Sequence, residues 1–239
     1  MSTNAIVLDA VGLSFPNSKS FVSAIKNLVS KSNDDFTALK DINLTVRTGE
    51  VFGLIGKNGS GKSTILRIIA GIYTADSGIC KIRGSTSLLA GLGTGFSQHQ
   101  TGVENALLYG SILGHTEAEM RKLLPEIIKF SELGDFIHKP LRTYSAGMKA
   151  RLGLAVASAI CPDILLIDEV LGVGDPQFRE KSKQRILELV KKTGTVVIVS
   201  HSFALMKEIC NRIGVIHQGK LEMVGEPNDA IKAYYELTG

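Results

Sequence analysis

A glycine-rich loop constrains the fold of this chain more than any other feature of the sequence. The segment GKNGSGKST matches the pattern G-x-x-x-x-G-K-[ST] and lies between an apolar strand-like run, EVFGLIG, and the helical pattern KSTILRIIAG. Glycines let successive N–H groups turn inward around phosphate oxygens, while Lys62 reaches the β and γ phosphates and the Ser63 hydroxyl ligates Mg²⁺. A glycine turn without a ligand does not account for the strand and the helix on either side. The predicted nucleotide-binding residues are Gly56, Lys57, Asn58, Gly59, Ser60, Gly61, Lys62, Ser63 and Thr64.

Two more apolar runs are each followed by a helical pattern. DILLID precedes FREKSKQRILELVKK, and TVVIVS precedes HSFALMKEICNRI. Nearly continuous Val, Ile and Leu are typical of strands in a sheet that is covered on both faces, so we predict an α/β fold. Helical periodicity dominates between the first and second strand-helix units, and we predict an inserted helical subdomain over about residues 96–159.

The first part of the chain has a different pattern. IVLDAVGLSF and TALKDINLTV predict paired strands, which would form an antiparallel β subdomain. The segment between them, residues 16–36, is too long for a hairpin turn. Its apolar residues recur at helical spacing from Phe21 to Val29, so we predict a short amphipathic helix there. Such a helix either packs on its own domain or faces a membrane or a partner protein.

Two strands of the predicted sheet end in residues suited to phosphate chemistry. Asp168 and Glu169 follow ILLI, and His201 follows TVVIVS. Because the carboxyl ends of the strands line the ligand crevice of such a sheet, we expect these side chains to face the phosphates. Asp168 is suited to hold Mg²⁺ directly or through water, and Glu169 to accept a proton from an attacking water. His201 is suited to bond the γ phosphate or to orient that water, although a lone histidine and an acidic pair also occur as structural groups.

The turn in TYSAGM predicts a second anion site. Its small residues open a helix, and the free N–H groups and dipole of a helix N-terminus favour an anion. The residues of this turn are Ser145, Ala146, Gly147 and Met148. The chain therefore has two separate elements that are suited to contact phosphate.

These motifs occur in an order and spacing that resemble the ATP-binding cassette (ABC) ATPases over essentially the whole chain. The resemblance implies a cassette fold that uses ATP and Mg²⁺. In that family two cassettes meet head to tail, and the Ser-x-Gly turn of one subunit covers the γ phosphate held by the loop of the other. The turn from Ser145 to Met148 would then act on the ATP of a partner subunit in a homodimer. Asp175 matches the family's aspartate after the Asp-Glu pair and would lie at the subunit boundary.

The resemblance also bears on the adenine contact and on one missing residue. Phe15, in VGLSFP, aligns with the aromatic residue that stacks on adenine in the family, and Phe36 competes for this role. The glutamine of the family's Q-loop falls near Leu92, where this chain has none. Gln98 and Gln100 are close in sequence but out of register.

Within the family, several details resemble the ATPases of polysaccharide exporters. The signature YSAGM, the segment EVLGVGD, LGTGF followed by TGVEN, and the insert between the first two strands look like those of ATPases that export lipid-linked O-antigen, capsular polysaccharide or teichoic acid. The resemblance implies an ATPase on the cytoplasmic side of the inner membrane, bound peripherally as a homodimer to two transmembrane permease subunits. We expect one nucleotide-binding domain over residues 1–239, without a C-terminal carbohydrate-binding domain.

Composition argues against several other classes of protein. The net charge of +4 is mild and the basic residues are scattered, so no nucleic-acid partner is expected. The three cysteines are widely spaced, which suggests neither a disulfide framework nor a zinc site, and no apolar run is long enough to span a bilayer.

Three alternative functions follow from the same motifs. The chain could serve another exporter, or it could be a soluble cassette ATPase that acts on DNA or on ribosomes. Soluble cassettes of that kind carry long coiled-coil insertions or two cassettes in one chain, and this sequence shows neither. A non-catalytic nucleotide-binding scaffold is disfavoured because Lys62, Asp168, Glu169 and His201 are all present.

Overall fold

The structure, a computed structural model, describes residues 3–16, 35–89, 95–168 and 176–239 of the chain. The strands that it describes are, in chain order, β1 (Asn4–Phe15), β2 (Phe36–Arg47), β3 (Val51–Ile55), β4 (Ser77–Ile82), β5 (Thr86–Leu89), β6 (Ile164–Asp168), β7 (Thr195–Val199), β8 (Arg212–His217) and β9 (Lys220–Gly225). The α-helices are α1 (Lys62–Ile69), α2 (Gly102–Ile112), α3 (Glu117–Ser131), α4 (Ala146–Ala159), α5 (Pro176–Thr193), α6 (Phe203–Ile209) and α7 (Pro227–Thr238). Short 3₁₀ segments cover Gly134–His138 and Leu141–Thr143.

The chain divides into two compact units. The first consists of Met1–Arg83 with Val199–Gly239, and the second of Gly84–Ile198. The predicted amphipathic helix at Phe21 to Val29 lies outside the described residues. None of the helices that the structure describes is both long and apolar enough to cross a membrane.

The first unit contains an antiparallel sheet with the order β2-β1-β4. The strands β1 and β2 pair from Asn4 opposite Arg47 to Phe15 opposite Phe36, so the predicted strand pair is confirmed. From Ile42 onward the residues of β2 alternate between buried apolar and exposed polar side chains, as expected for a sheet that packs on one face.

The same unit contains the strand order β3-β8-β9. Strand β3 runs parallel to β8, and β9 returns antiparallel to β8 through the tight turn at Gln218–Gly219. Residues Phe52 to Ile55 of β3 are buried. This burial explains the nearly continuous apolar run that precedes the glycine-rich loop.

The second unit has the strand order β5-β6-β7 and the helices α2 to α5. Strand β5 runs parallel to β6. The helices α2 and α3 each begin with a capping box, formed by Thr101 with Glu104 and by Thr116 with Glu119. The helices α2, α3 and α4 occupy the region in which the sequence predicts a helical subdomain.

Candidate functional site

The glycine-rich loop connects the end of β3 to the start of α1 in the first unit. A Cβ atom at Gly56 would lie 2.2 Å from the carbonyl oxygen of Ile216, so the first loop position has room only for glycine. Gly61 has a φ of 112°, which glycine adopts without strain. The chain therefore makes a tight, backbone-lined turn immediately before a helix N-terminus, which is the shape that a phosphate cradle requires.

The lysine of this loop is folded back over it. Lys62 is 6% exposed, and its Nζ atom donates hydrogen bonds to the carbonyl oxygens of Gly56 at 2.8 Å and of Lys57 at 3.0 Å. The ammonium group is therefore held at the mouth of the loop by backbone carbonyls. A cation in this position is suited to receive phosphate oxygens.

The outer side of the loop is held by residues that sequence reasoning missed. The N–H of Gly219 donates to the carbonyl oxygen of Ser60 at 3.0 Å, and Lys57 Nζ donates to the carbonyl oxygen of Thr238 at 2.9 Å. One signal was available for Gly219: a two-residue Gln-Gly link between RIGVIH and KLEMVG is typical of a β-hairpin. Nothing in the sequence indicated that the end of α7 would meet the loop.

Each of the two residues predicted to hold Mg²⁺ carries an oxygen ligand in its own unit. Ser63, the second residue of α1, is partly exposed beside the loop. Asp168 is the last residue of β6 in the second unit and is also partly exposed. A hydroxyl and a carboxylate are hard oxygen ligands of the kind that Mg²⁺ prefers, so the donor chemistry at these positions fits the ion.

The predicted catalytic residues differ in how far the structure describes them. His201 is exposed in the first unit, two residues after β7, and is followed by Ser202, whose Oγ caps α6 by accepting from the N–H of Leu205. Glu169 and Asp175 lie outside the described residues, as does Leu92 at the position of the Q-loop glutamine. The roles of these residues stay predictions.

The Ser-Ala-Gly turn opens α4 in the second unit. Ser145 is the N-cap residue, and its Oγ accepts a hydrogen bond from the N–H of Met148 at 3.2 Å. Ser145 and Ala146 are exposed, and among the described atoms outside the helix backbone a Cβ atom added at Gly147 would meet only Ser145 Oγ within 4 Å. The start of α4 is therefore open to a ligand or a partner from outside the unit, as the predicted second anion site requires.

Tyr144, which immediately precedes the turn, anchors it to the rest of the unit through a buried side chain. The residue is 6% exposed, and its hydroxyl donates to the carbonyl oxygen of Phe136 at 2.5 Å. Burial raises the pKa of Tyr144 to about 12, so the hydroxyl keeps its proton. On the other side of the turn, Lys149 Nζ donates to Gln98 Oε1 at 2.9 Å. Gln98, which is out of register with a Q-loop glutamine, thus contacts α4.

The two candidate adenine-stacking residues lie opposite each other in the β1–β2 pair. The ring of Phe15 is partly buried and meets the ring of Tyr73 edge-on, with the centroids 5.6 Å apart. Phe36 is 60% exposed. Tyr73 supports one edge of Phe15, whereas Phe36 is mostly open to solvent.

The sequence of this chain is similar to one protein family and to ATP-binding proteins of two export systems. The family description "ABC transporter" matches residues 39–172. The O-antigen export system ATP-binding protein RfbB of Myxococcus xanthus is 47% identical over 200 residues, covering 84% of this chain and 46% of that protein. The teichoic acids export ATP-binding protein TagH of Levilactobacillus brevis is 41% identical over 223 residues, covering 92% of this chain and 62% of that protein. This chain thus spans less than two thirds of the length of both relatives.

A solved structure confirms the predicted fold. An ATP-binding cassette, solved as a dimer in a post-hydrolysis state with ADP and Pi, matches with a TM-score of 0.72. The match covers 93% of this chain and 98% of that chain at 24% identity. The predicted α/β cassette fold is therefore confirmed.

Proposed function

This chain belongs to the ABC transporter family, and we propose that it is the ATP-hydrolysing subunit of an exporter of lipid-linked polysaccharide. The observation that carries the proposal is that one chain contains both the tight glycine-rich loop from Gly56 to Thr64, called the phosphate loop from here on, and an exposed Ser-Ala-Gly turn at the start of α4. Family membership accounts for both elements, since each would contact a different nucleotide.

The phosphate loop would bind the triphosphate of ATP. Backbone N–H groups from Gly59 to Ser63 would surround the phosphate oxygens, and Lys62 would exchange its bonds to loop carbonyls for bonds to the β and γ phosphates. Phe15 would stack on the adenine. Ser63 and Asp168 would hold Mg²⁺, the latter directly or through water, and the ion would neutralise charge on the phosphate oxygens.

Hydrolysis would use residues near the strand ends. Glu169 would accept a proton from the attacking water, and His201 would orient that water or bond the γ phosphate. A second copy of the chain would contribute Ser145 to Met148 to cover the γ phosphate, with Asp175 at the boundary between the subunits. ATP binding would close this homodimer, and hydrolysis would reopen it.

The transported substrate is inferred from the relatives. RfbB and TagH are named for the export of O-antigen and of teichoic acids. The signature YSAGM of this chain resembles that of the ATPases that export these lipid-linked polysaccharides. We therefore place the homodimer on the cytoplasmic side of the membrane, bound to two permease subunits that move the glycan.

Enzyme assays on the purified chain test the catalytic part of the proposal. Lys62→Ala should remove MgATP binding, whereas Glu169→Gln should bind MgATP, slow hydrolysis by about 10²-fold or more, and accumulate as a dimer in sedimentation experiments. Native-rate hydrolysis by the Glu169→Gln protein would show that this base assignment is wrong.

A cellular assay tests the export part. Deletion of the gene in the source organism should deplete a surface polysaccharide and leave its lipid-linked precursor inside the cell. Complementation with the native gene should restore the surface polysaccharide, and complementation with Lys62→Ala should not. Unchanged surface glycans combined with loss of another exported compound would instead assign the subunit to a different exporter.

A further inference from the structure

We propose that Gly219 is a positioning residue for phosphate binding, because its N–H orients the peptide group between Ser60 and Gly61 in the phosphate loop. The inference rests on the proposed nucleotide-binding function of that loop. It assigns a role in the site to the hairpin turn between β8 and β9, which lies far from the loop in sequence.

The first step concerns the direction of one peptide group. No described peptide bond is cis, and in a trans peptide the carbonyl of one residue and the N–H of the next point in opposite directions. The carbonyl oxygen of Ser60 accepts the N–H of Gly219 at 3.0 Å and therefore points outward to the hairpin turn. The N–H of Gly61 consequently points away from the turn, and phosphate oxygens bound by the loop would lie on that side.

The second step concerns what holds Gly219 in place. Its carbonyl oxygen accepts the N–H of Lys40, a β2 residue, at 2.7 Å. Gln218 and Gly219 have φ angles of 46° and 79°, and the flanking residues His217 and Lys220 are paired across the hairpin. A chain of backbone hydrogen bonds thus runs from β2 through the turn to Ser60.

The third step concerns the space around this contact. A Cβ atom at Gly219 would lie 2.7 Å from the carbonyl oxygen of Ala38, so the turn is pressed against β2. A Cβ atom at Gly61 would lie 3.0 Å from the same oxygen and 2.7 Å from Leu39 Cδ2. The segment Ala38–Leu39 therefore packs closely against both the turn and the loop.

Gly219→Ala is the direct test. The added methyl group would push the turn away from Ala38 and withdraw the Gly219 N–H from Ser60, so the Gly61 N–H would lose its alignment. We expect the Kd for MgADP and the KM for ATP to rise about tenfold, the effect of losing roughly one hydrogen bond to a charged group. The kcat at saturating ATP should stay within about twofold of the native value, because the catalytic groups are untouched.

Gly71→Ala is the matched control. Gly71 lies in the same unit and also has a positive φ, of 71°, but a Cβ atom there would meet none of the atoms that the structure describes within 4 Å. Its substitution imposes similar backbone strain and should lower the melting temperature without changing the Kd for MgADP. If Gly219→Ala lowers only the melting temperature, as the control does, Gly219 is needed for the hairpin alone and the inference fails.

A measurement on the native protein covers the case in which Gly219→Ala does not fold. In protein labelled with ¹⁵N-glycine, MgADP should shift the amide resonance of Gly219 and slow its exchange with solvent, while the resonance of Gly71 should not move. An unmoved Gly219 resonance would overturn the inference.

Lys62→Ala separates this inference from the proposed function. If Lys62→Ala leaves the MgADP affinity unchanged, the loop is not the nucleotide site and both fail. If Lys62→Ala abolishes binding while Gly219→Ala binds as the native protein does, only the inference fails.

Discussion

Glu50 and Arg212 form a bidentate ion pair inside the unit that contains the glycine-rich loop. Arg212 Nε donates to Glu50 Oε1 at 2.6 Å, and Arg212 Nη2 donates to Glu50 Oε2 at 3.1 Å. Glu50 is 7% exposed and immediately precedes β3, while Arg212 is the first residue of β8. The pair thus joins the starts of the two strands whose far ends lead to the loop and to the hairpin turn at Gly219.

Glu50→Gln should lower the free energy of unfolding by about 1–3 kcal/mol. The amide keeps the shape of the side chain but loses the charge that accepts both guanidinium hydrogen bonds and the N–H of Arg47 at 2.7 Å. Urea unfolding followed by circular dichroism measures the change. Glu222→Gln, at an exposed position on β9 of the same unit, is the control and should change the free energy of unfolding little. Equal stability of the two variants would contradict the prediction.

The same pair predicts a pH dependence of stability. Burial works to raise the pKa of Glu50, but hydrogen bonds from Arg212 and from the N–H of Arg47, together with their charges, outweigh it and hold this pKa below its ordinary value of 4.5. A carboxylate with a lowered pKa stabilises the fold above its unfolded pKa, and this contribution is lost as the pH falls through the folded pKa. The difference in unfolding free energy between the native protein and Glu50→Gln should therefore be full at pH 7 and shrink below about pH 4.5. A constant difference across this range would show that Glu50 does not titrate differently in the two states.

Tyr144→Phe should destabilise the protein by about 1–2 kcal/mol, because it leaves the carbonyl oxygen of Phe136 without the hydroxyl proton. Tyr235→Phe is the matched control, since Tyr235 is 57% exposed whereas Tyr144 is buried. Thermal and urea unfolding of both variants, compared with the native protein, measure the effect. If Tyr235→Phe lowers the free energy of unfolding as much as Tyr144→Phe does, the hydrogen bond from Tyr144 to Phe136 is not the source of the lost stability.

Tyr144 should also make the free energy of unfolding decrease at alkaline pH. Its pKa is raised to about 12, so the neutral hydroxyl stabilises the folded state below the ordinary tyrosine pKa of about 10, and this contribution is lost as the pH rises toward 12. We expect the unfolding free energy of the native protein to fall more steeply between about pH 10 and 12 than that of Tyr144→Phe. Parallel curves for the two proteins would be inconsistent with a buried, protonated Tyr144.

Ser145 should have separable structural and catalytic effects. Ser145→Ala removes the cap of α4 and should cost about 1 kcal/mol of stability. Ser145→Asp keeps a capping side chain, so it should fold nearly as stably as the native protein, but its negative charge would face the γ phosphate of the partner's ATP. We expect both variants to bind MgATP and to hydrolyse it about 10²-fold more slowly. Steady-state ATPase assays and unfolding curves of the same variants separate the two effects. Native ATPase activity in Ser145→Asp would show that Ser145 does not contact the γ phosphate of the partner's ATP.

The sequence was most informative where a motif coincides with a strong local pattern. The buried strand β3 and helix α1 flank the glycine-rich loop as predicted, and the helices between Gly102 and Ala159 follow the predicted periodicity. Strand β4 was not predicted, because its residues Ser77 to Gly78 are exposed at a sheet edge and lack a continuous apolar run. Short edge strands depend on pairing with a distant neighbour, here β1, and such pairing leaves no local pattern.

The contacts that hold the site were hidden for a similar reason. The bond from Gly219 to Ser60 is between backbone atoms, and backbone groups carry no residue-specific signal apart from the glycine itself. In the sequence, Tyr144 was recognisable only as part of the signature YSAGM that resembles polysaccharide exporters. Its physical reason, a hydroxyl that reaches the carbonyl of Phe136, requires the packed 3₁₀ segment that the structure places there.

The contact between Lys57 and Thr238 makes Thr238 a suitable site for a fluorescent label that reports on the phosphate loop. Because Lys57 Nζ lies 2.9 Å from the carbonyl oxygen of Thr238, a fluorophore attached at Thr238 would sit next to a residue of the loop. Its emission would report nucleotide arrival and departure without a label inside the site. The same proximity makes the end of α7 a poor place for a bulky affinity tag, which would crowd the loop and weaken the signal that an assay is meant to record.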